Sequence, residues 1–301
     1  MGAGQERILR SRIKSIEATK KITRAMELIA ASQIVRAQGR IVGSKPYQNA
    51  VARAISEVAR EVGGKTARII GDPKSLDSIL IVGVVADRGL CGGYNSAVLR
   101  TMERRYKLLK SEGKNVDVIT VGKKAQAFCR FREIPVKKSF VSMTDRPKFE
   151  NAVEISDGIV DEFMSAKYDL VEIVSTRFLS AGSQSVVTKQ LLPLPKEVIV
   201  ETEPGVAIAV PELEPDPIQL LASLLPQYLE TSLYGALLEA SASEHTARQR
   251  AMSAATENAE ELITRYTREM NRVRQEAITT EIMEIVGGAE ALRQAALNGM
   301  E

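Results

Sequence analysis

The 301-residue chain has no tryptophan, 4% aromatic residues, two cysteines (Cys91 and Cys129) and one histidine, His245. Each scarcity excludes something. Two cysteines 38 positions apart support neither a disulfide framework nor a zinc site, and point to buried or free thiols. A lone histidine among helical residues, beside Glu244 and Arg248, reads as a surface helix residue and gives no basis for histidine catalysis. Few aromatics disfavour a large aromatic core and favour helices built on Ala, Ile, Leu and Val. No apolar run approaches the roughly 18 residues that a membrane-spanning helix needs. The N-terminus is basic but has no apolar core segment, so it reads as neither a signal nor a transit peptide. The formal charge of +3 is too small to indicate nucleic-acid binding.

What is present is periodicity. Residues 5–38 contain neither Gly nor Pro, and Leu9, Ile13, Ile16, Thr19, Ile22, Met26 and Ile29 recur at steps of three and four. This predicts one helix over about residues 4–60, some 80 Å long at 1.5 Å per residue. Gly39, Gly43 and Pro46 are candidate bends. At the other end, Met252, Ala255, Ala259, Leu262, Tyr266, Met270, Val273 and Ala277 repeat at three and four, and Ile278, Ile282 and Ile285 extend the stripe. That predicts a helix over about 217–286 with a coiled-coil seam of mostly small residues. No compact domain is that wide, so the economical arrangement packs the two helices on each other, antiparallel.

Between them, strand and helix signals alternate. Apolar runs at Ile79–Val85 and Val116–Val121 read as strands buried on both faces, with further strands at Val136–Val141 and Leu170–Ser175 and an edge strand at Gln184–Leu192. Helical stretches fall at 95–109, 123–131 and 151–163. This is the spacing of a small open α/β domain. The domains are then 1–60 (helix), 72–195 (α/β), 196–216 (a proline-rich loop) and 217–301 (helix).

Two segments look like phosphate loops. Ala59–Thr66 fits a relaxed P-loop pattern but follows a helix instead of a strand, so a Gly-ended helix cap is the better reading. Gly89-Leu90-Cys91-Gly92-Gly93-Tyr94-Asn95 follows the first strand and precedes a helix, where a dinucleotide loop belongs. Its spacing is not GxGxxG, and no acidic residue ends the second strand. A tight, glycine-enabled turn remains the plainer alternative. No pair of carboxylates stands out as acid and base. Residues 1–60 carry twelve Lys/Arg against four Asp/Glu, and 241–301 seven against ten. The apolar, weakly charged stretch Ile282–Ala296 calls for burial in a partner.

Ile22–Ser32, Asp87–Asn95 and Arg274–Ile282 with Glu284–Ala289 resemble the gamma-subunit family of F-type ATP synthases, nearly end to end. The resemblance implies a non-catalytic central rotor shaft. Its terminal helices form an antiparallel coiled coil inside a ring of three alpha and three beta subunits. A Rossmann-like open-sheet domain without nucleotide or other cofactor lies beside epsilon and the c-ring. One copy per complex, with delta also in the complex, couples ion-driven rotation to ATP synthesis or hydrolysis at the beta sites. The resemblance assigns Met26, Arg248, Arg274, Gln275, Thr279 and Glu281 to beta-subunit loops, Ile282, Ile285 and Val286 to the bearing in the alpha–beta ring, and Glu214 to the c-ring and epsilon side. Pro211 and Leu213 stand where aromatic residues are frequent, and Arg24 where lysine is common. No nucleic acid is implied, and the setting is peripheral, on the cytoplasmic face of a bacterial plasma membrane.

Overall fold

A computed structural model describes residues 2–62, 69–73, 75–195 and 216–298. Its elements are α1 (Gly2–Val62), β1 (Ser78–Val84), α2 (Tyr94–Ser111), β2 (Asn115–Val121), α3 (Lys123–Phe131), β3 (Lys138–Phe140), α4 (Phe149–Ser156), α5 (Ile159–Met164), β4 (Leu170–Phe178), β5 (Gln184–Leu192) and α6 (Pro217–Asn298). Pro46 and Pro226 lie inside α1 and α6, which continue through them. No helix among the described residues is long and apolar enough to cross a membrane.

The chain divides into two compact units, residues 29–250 and residues 1–28 with 251–301. The larger unit is built on a sheet of order β3-β2-β1-β4-β5. β1 pairs in parallel with β2 and β4, β2 pairs in parallel with β3, and β5 closes the sheet antiparallel to β4. The central strand owes its unbroken apolar run to burial on both sides. Alternate residues leave it in opposite directions. Leu80, Val82 and Val84 join a core with Ile55 of α1, Ile155 of α4, Ile159 and Phe163 of α5, and Leu225 and Leu229 of α6. Ile79 and Ile81 join a second core with Val98 and Met102 of α2 and Cys129 of α3. Both cysteines are buried and free, and burial raises the Cys129 thiol to about 11.

Two glycines set this geometry. A Cβ on Gly83 would collide with Met102 Sδ, so glycine lets α2 pack closely on β1. Gly122 has φ of +100°, and a Cβ there would collide with the Val85 carbonyl oxygen. The helix expected over 151–163 is two helices, because Gly158 adopts a left-handed conformation (φ +75°) between α4 and α5. A partly buried ion pair ties β4 to α2: Arg105 Nε donates to Glu172 Oε1 at 2.8 Å, and Nη2 to Oε2 at 3.0 Å.

In the smaller unit α1 and α6 run antiparallel. Thr23 Oγ1 meets Thr256 Oγ1 at 2.8 Å, and Lys20 Nζ meets Glu260 Oε1 at 2.6 Å. A step of three backward on α1 is thus a step of four forward on α6. The α6 seam is the expected one, with Met252, Ala259 and Val273 buried. The α1 seam departs from expectation. Thr19 is exposed and Ile22 is 61% exposed, while Thr23 and Glu27 are buried. The inner face follows Leu9, Ile13, Ile16, Lys20, Thr23 and Glu27, alternating four and three, which is the 3.5-residue repeat of paired helices. Following the apolar residues instead leads onto the flank of the helix.

Candidate functional site

The turn after β1 is the place where an open α/β sheet ordinarily binds a ligand. Here it is wired to the chain's own residues. Asn95 Oδ1 accepts from Ala86 N at 2.9 Å, and its Nδ2 reaches Cys91 Sγ at 3.2 Å. Asp87 accepts from the backbone N–H groups of Lys123, Ser142 and Thr144 and from the Thr144 hydroxyl. Burial alone would raise its carboxyl, but these four donors outweigh burial and hold it below its ordinary value.

The middle of α6 engages the same turn. Tyr94 donates its hydroxyl to the Ala240 carbonyl at 3.1 Å, and Arg248 Nη2 donates to the Gly89 carbonyl at 3.4 Å. Arg248 also donates to Glu244 Oε1 at 2.6 Å and to His245 Nδ1 at 3.3 Å. His245 Nε2 lies 3.1 Å from the Asp145 carbonyl oxygen, which also accepts from Ser241 Oγ. A carbonyl only accepts, so Nε2 carries the proton, and Nδ1 accepts from Arg248. The ring is therefore neutral. His245 is 2% exposed, where a surface residue was expected. Burial lowers its pKa, against the opposing Asp145 contacts and with Arg248 adding to the effect. Burial likewise raises Glu244, which Arg248 opposes.

The turn thus acts as a clamp holding α6 to the sheet. The signal that could have located it lies in α6 itself. Ser241, His245 and Arg248, with Glu244, fall at steps of three and four on one face of a helix, a spacing that shows they share a face and that a solvated polar face has as well.

The residues assigned to beta-subunit loops fall into different settings. Arg248 is buried in the clamp just described. Met26 is half-buried on α1 in the smaller unit. Arg274, Gln275, Thr279 and Glu281 are exposed on α6. Thr279 gives its hydroxyl to the Gln275 carbonyl at 2.9 Å. Among the described residues, the side chains of Arg274, Gln275 and Glu281 have no hydrogen-bond or ion-pair partner. Ile282, Ile285 and Val286 are 53%, 72% and 59% exposed. At about 100° per residue, Arg274, Gln275, Ile278, Thr279, Glu281, Ile282, Ile285 and Val286 share an arc of about 160° directed away from Val273 in the seam.

Exposure here follows from register. Extending the pairing of Thr23 with Thr256 and Lys20 with Glu260 brings Gly2 level with about residue 277. The remainder of α6, Ile278–Asn298, extends past the first described residue of α1 for about 30 Å. This explains why Ile278, Ile282 and Ile285 carry the apolar period onward and yet stand exposed. Glu214 lies outside the described residues, as does the second half, 63–66, of the P-loop look-alike at 59–66.

The profile of the family described as ATP synthase matches residues 5–292. The chain is 43% identical over 297 residues to the ATP synthase gamma chain of Frankia casuarinae, covering 96% of this chain and 98% of that one. It is 41% identical to the gamma chain of Mycobacterium marinum, covering 96% and 98%. Among solved structures it is similar to a chain of the central stalk and c-ring assembly of the Tetrahymena thermophila mitochondrial ATP synthase. That match has TM-score 0.60 and 26% identity, and covers 78% of this chain and 99% of that one. A chain of the Euglena gracilis mitochondrial ATP synthase shares the fold, with TM-score 0.66 at 19% identity, covering 96% and 95%.

Proposed function

Because this chain belongs to the gamma-chain family of ATP synthases, we propose that it is a non-catalytic rotor shaft, seated in a ring of alpha and beta subunits and joined to epsilon and the c-ring. Rotation driven by ion flow turns the shaft, and its asymmetry takes the beta sites through different affinities. ATP hydrolysis drives it in reverse. The complex is membrane-bound, with this chain peripheral on the cytoplasmic face of a bacterial plasma membrane.

The observation that carries this reading is the far end of α6. It presents an unpaired arc of charged and amide groups beside exposed Ile282, Ile285 and Val286. A rotating shaft needs two kinds of contact. A bearing must exclude water without directional bonds, which the three aliphatic side chains suit. A catch must engage at defined angles, which directional, charge-assisted hydrogen bonds from Arg274 and Gln275 suit. Met26, Thr279 and Glu281 join the catch on beta-subunit loops. Arg248 serves it from within, by fixing α6 to the α/β unit. Glu214 faces the c-ring and epsilon.

The test is Arg274→Ala together with Gln275→Ala in the assembled enzyme. Each charge-assisted bond lost is about 1.5 kcal/mol, so the pair slows turnover at least about tenfold, with the chain still folded by circular dichroism. Unchanged ATPase rate and unchanged ATP-driven pumping contradict the assignment.

A further inference from the structure

Positive charge is gathered in one place in this chain. Helices α2 and α3 hold eight Lys and Arg residues and a single acid, Glu103. The whole chain carries +3, so everything outside these two helices is net negative. Of the eight, Arg105 is committed to the sheet through Glu172. At about 100° per residue, Arg100, Arg104 and Lys107 lie within about 60° of one another on α2, opposite the buried Met102 and Leu109. On α3, Lys123, Lys124, Arg130 and Phe131 share about 120°, opposite the buried Ala125 and Cys129. All seven of these outward side chains belong to exposed residues.

The two helices meet at Glu103, which lies 2.7 Å from Lys107 Nζ and 3.5 Å from Arg132 Nε. Its residue is buried, so the one acid of the face is both covered and compensated. The side chains of Arg100, Arg104, Lys124 and Arg130 form no ion pair among the described residues. Glu112 and Glu133 are exposed beyond the helix ends. Two apolar side chains stand out of this field. Phe131 is 79% exposed, with the Arg132 guanidinium carbon 5.6 Å from its ring centre, and Leu108 is 50% exposed. The basic residues of α1 differ: they are spread round the helix and interrupted by Glu6, Glu17 and Glu27.

We propose that the outer face of α2 and α3 binds an anionic phospholipid surface. The cations meet the headgroup phosphates, and Phe131 and Leu108 enter the boundary between headgroups and acyl chains. A protein partner would centre on a desolvated apolar patch poor in lysine, whereas here the apolar side chains stand singly among lysines. A nucleic-acid duplex offers phosphates but no apolar layer. A turning shaft cannot stay attached to a stationary bilayer, so under the rotor reading this contact serves the chain before it is assembled. The binding itself does not depend on that reading, because none of the residues assigned to the catch or the bearing lies on this face.

The probe is a vesicle of phosphatidylcholine, alone or with about 30% phosphatidylglycerol, sedimented with the full chain at about 50 mM and about 500 mM salt. The chain should sediment with the anionic vesicles at low salt, come free at high salt and ignore the neutral vesicles. Arg100→Gln with Arg104→Gln weakens partitioning at least about tenfold, since each cation near the surface is worth about fivefold. Phe131→Ser weakens it as well but leaves the salt dependence steep, because no charge is lost. Lys14→Gln with Lys21→Gln, the matched change on α1, leaves partitioning within about twofold. The two vesicles on the unaltered chain decide the matter even if a variant fails to fold. Sedimentation with neither vesicle, equal sedimentation with both, or a loss caused by the α1 pair and not by the α2 pair overturns the proposal. So does tighter binding of mixed-sequence duplex DNA at the same salt, which would make this a nucleic-acid surface.

Discussion

The neutral ring of His245 has a thermodynamic consequence that a surface histidine lacks. Burial lowers its pKa from the ordinary 6.5, so protonation is less favourable in the folded chain than in the unfolded one. The stability it contributes is full above about pH 6.5 and is lost as pH falls through the lowered value. Asp145, Glu244, Arg248 and Arg40 are the charged neighbours. Glu244, whose pKa burial raises, acts in the opposite sense, so the useful quantity is the difference between unaltered chain and His245→Gln. The unaltered chain should lose more stability than the variant between about pH 7.5 and pH 5.5 in urea unfolding. Parallel pH profiles for the two would contradict the neutral, buried assignment.

At the scale of elements, Gly122 joins β2 to α3 in a backbone conformation that side chains rarely adopt, against the Val85 carbonyl. Gly122→Ala should destabilise the larger unit by at least about 1–3 kcal/mol, the strain of such a conformation before any clash, as read by denaturant midpoint. A second prediction concerns the far end of α6. Ile282→Asp with Ile285→Asp should leave thermal unfolding of the isolated chain within about 0.5 kcal/mol of the original, as for exposed sites. The same pair should weaken its association with alpha and beta subunits, measured by co-purification.

Elements also show what the sequence made legible. β1, β2 and β4 could be read because a doubly buried strand leaves a continuous apolar run, β5 because an edge strand alternates, and α3 because Lys123–Phe131 has one helical period. The seam of α6 could be read because Met252, Ala259 and Val273 lie on it. The α1 seam could not be read fully. Its inner positions are Lys20, Thr23 and Glu27, and the first two meet partners 240 and 233 residues away, while Ile22 and Leu28 point outward. The break between α4 and α5 was hidden because one glycine interrupts a helical period without erasing it. The burial of His245 and Arg248 was hidden because a polar cluster on one helix looks like solvated charge until a loop from elsewhere covers it. Of the site residues, Arg274, Gln275, Thr279 and Glu281 are exposed on α6. Their roles came from resemblance rather than from periodicity.

At the scale of the molecule, α1 and α6 pair with each other in the smaller unit, and in the larger unit the sheet is clamped to α6. If this chain is the shaft, rotary catalysis by alpha and beta depends on it. Reconstitution measures that dependence, by mixing the chain with matching alpha and beta subunits and following complex mass and ATPase rate together. The rotor reading predicts a complex of three alpha, three beta and one copy of this chain, with steady ATPase activity that disappears when the chain is omitted. A chain that remains apart from alpha and beta, or an ATPase rate indifferent to its presence, would contradict it.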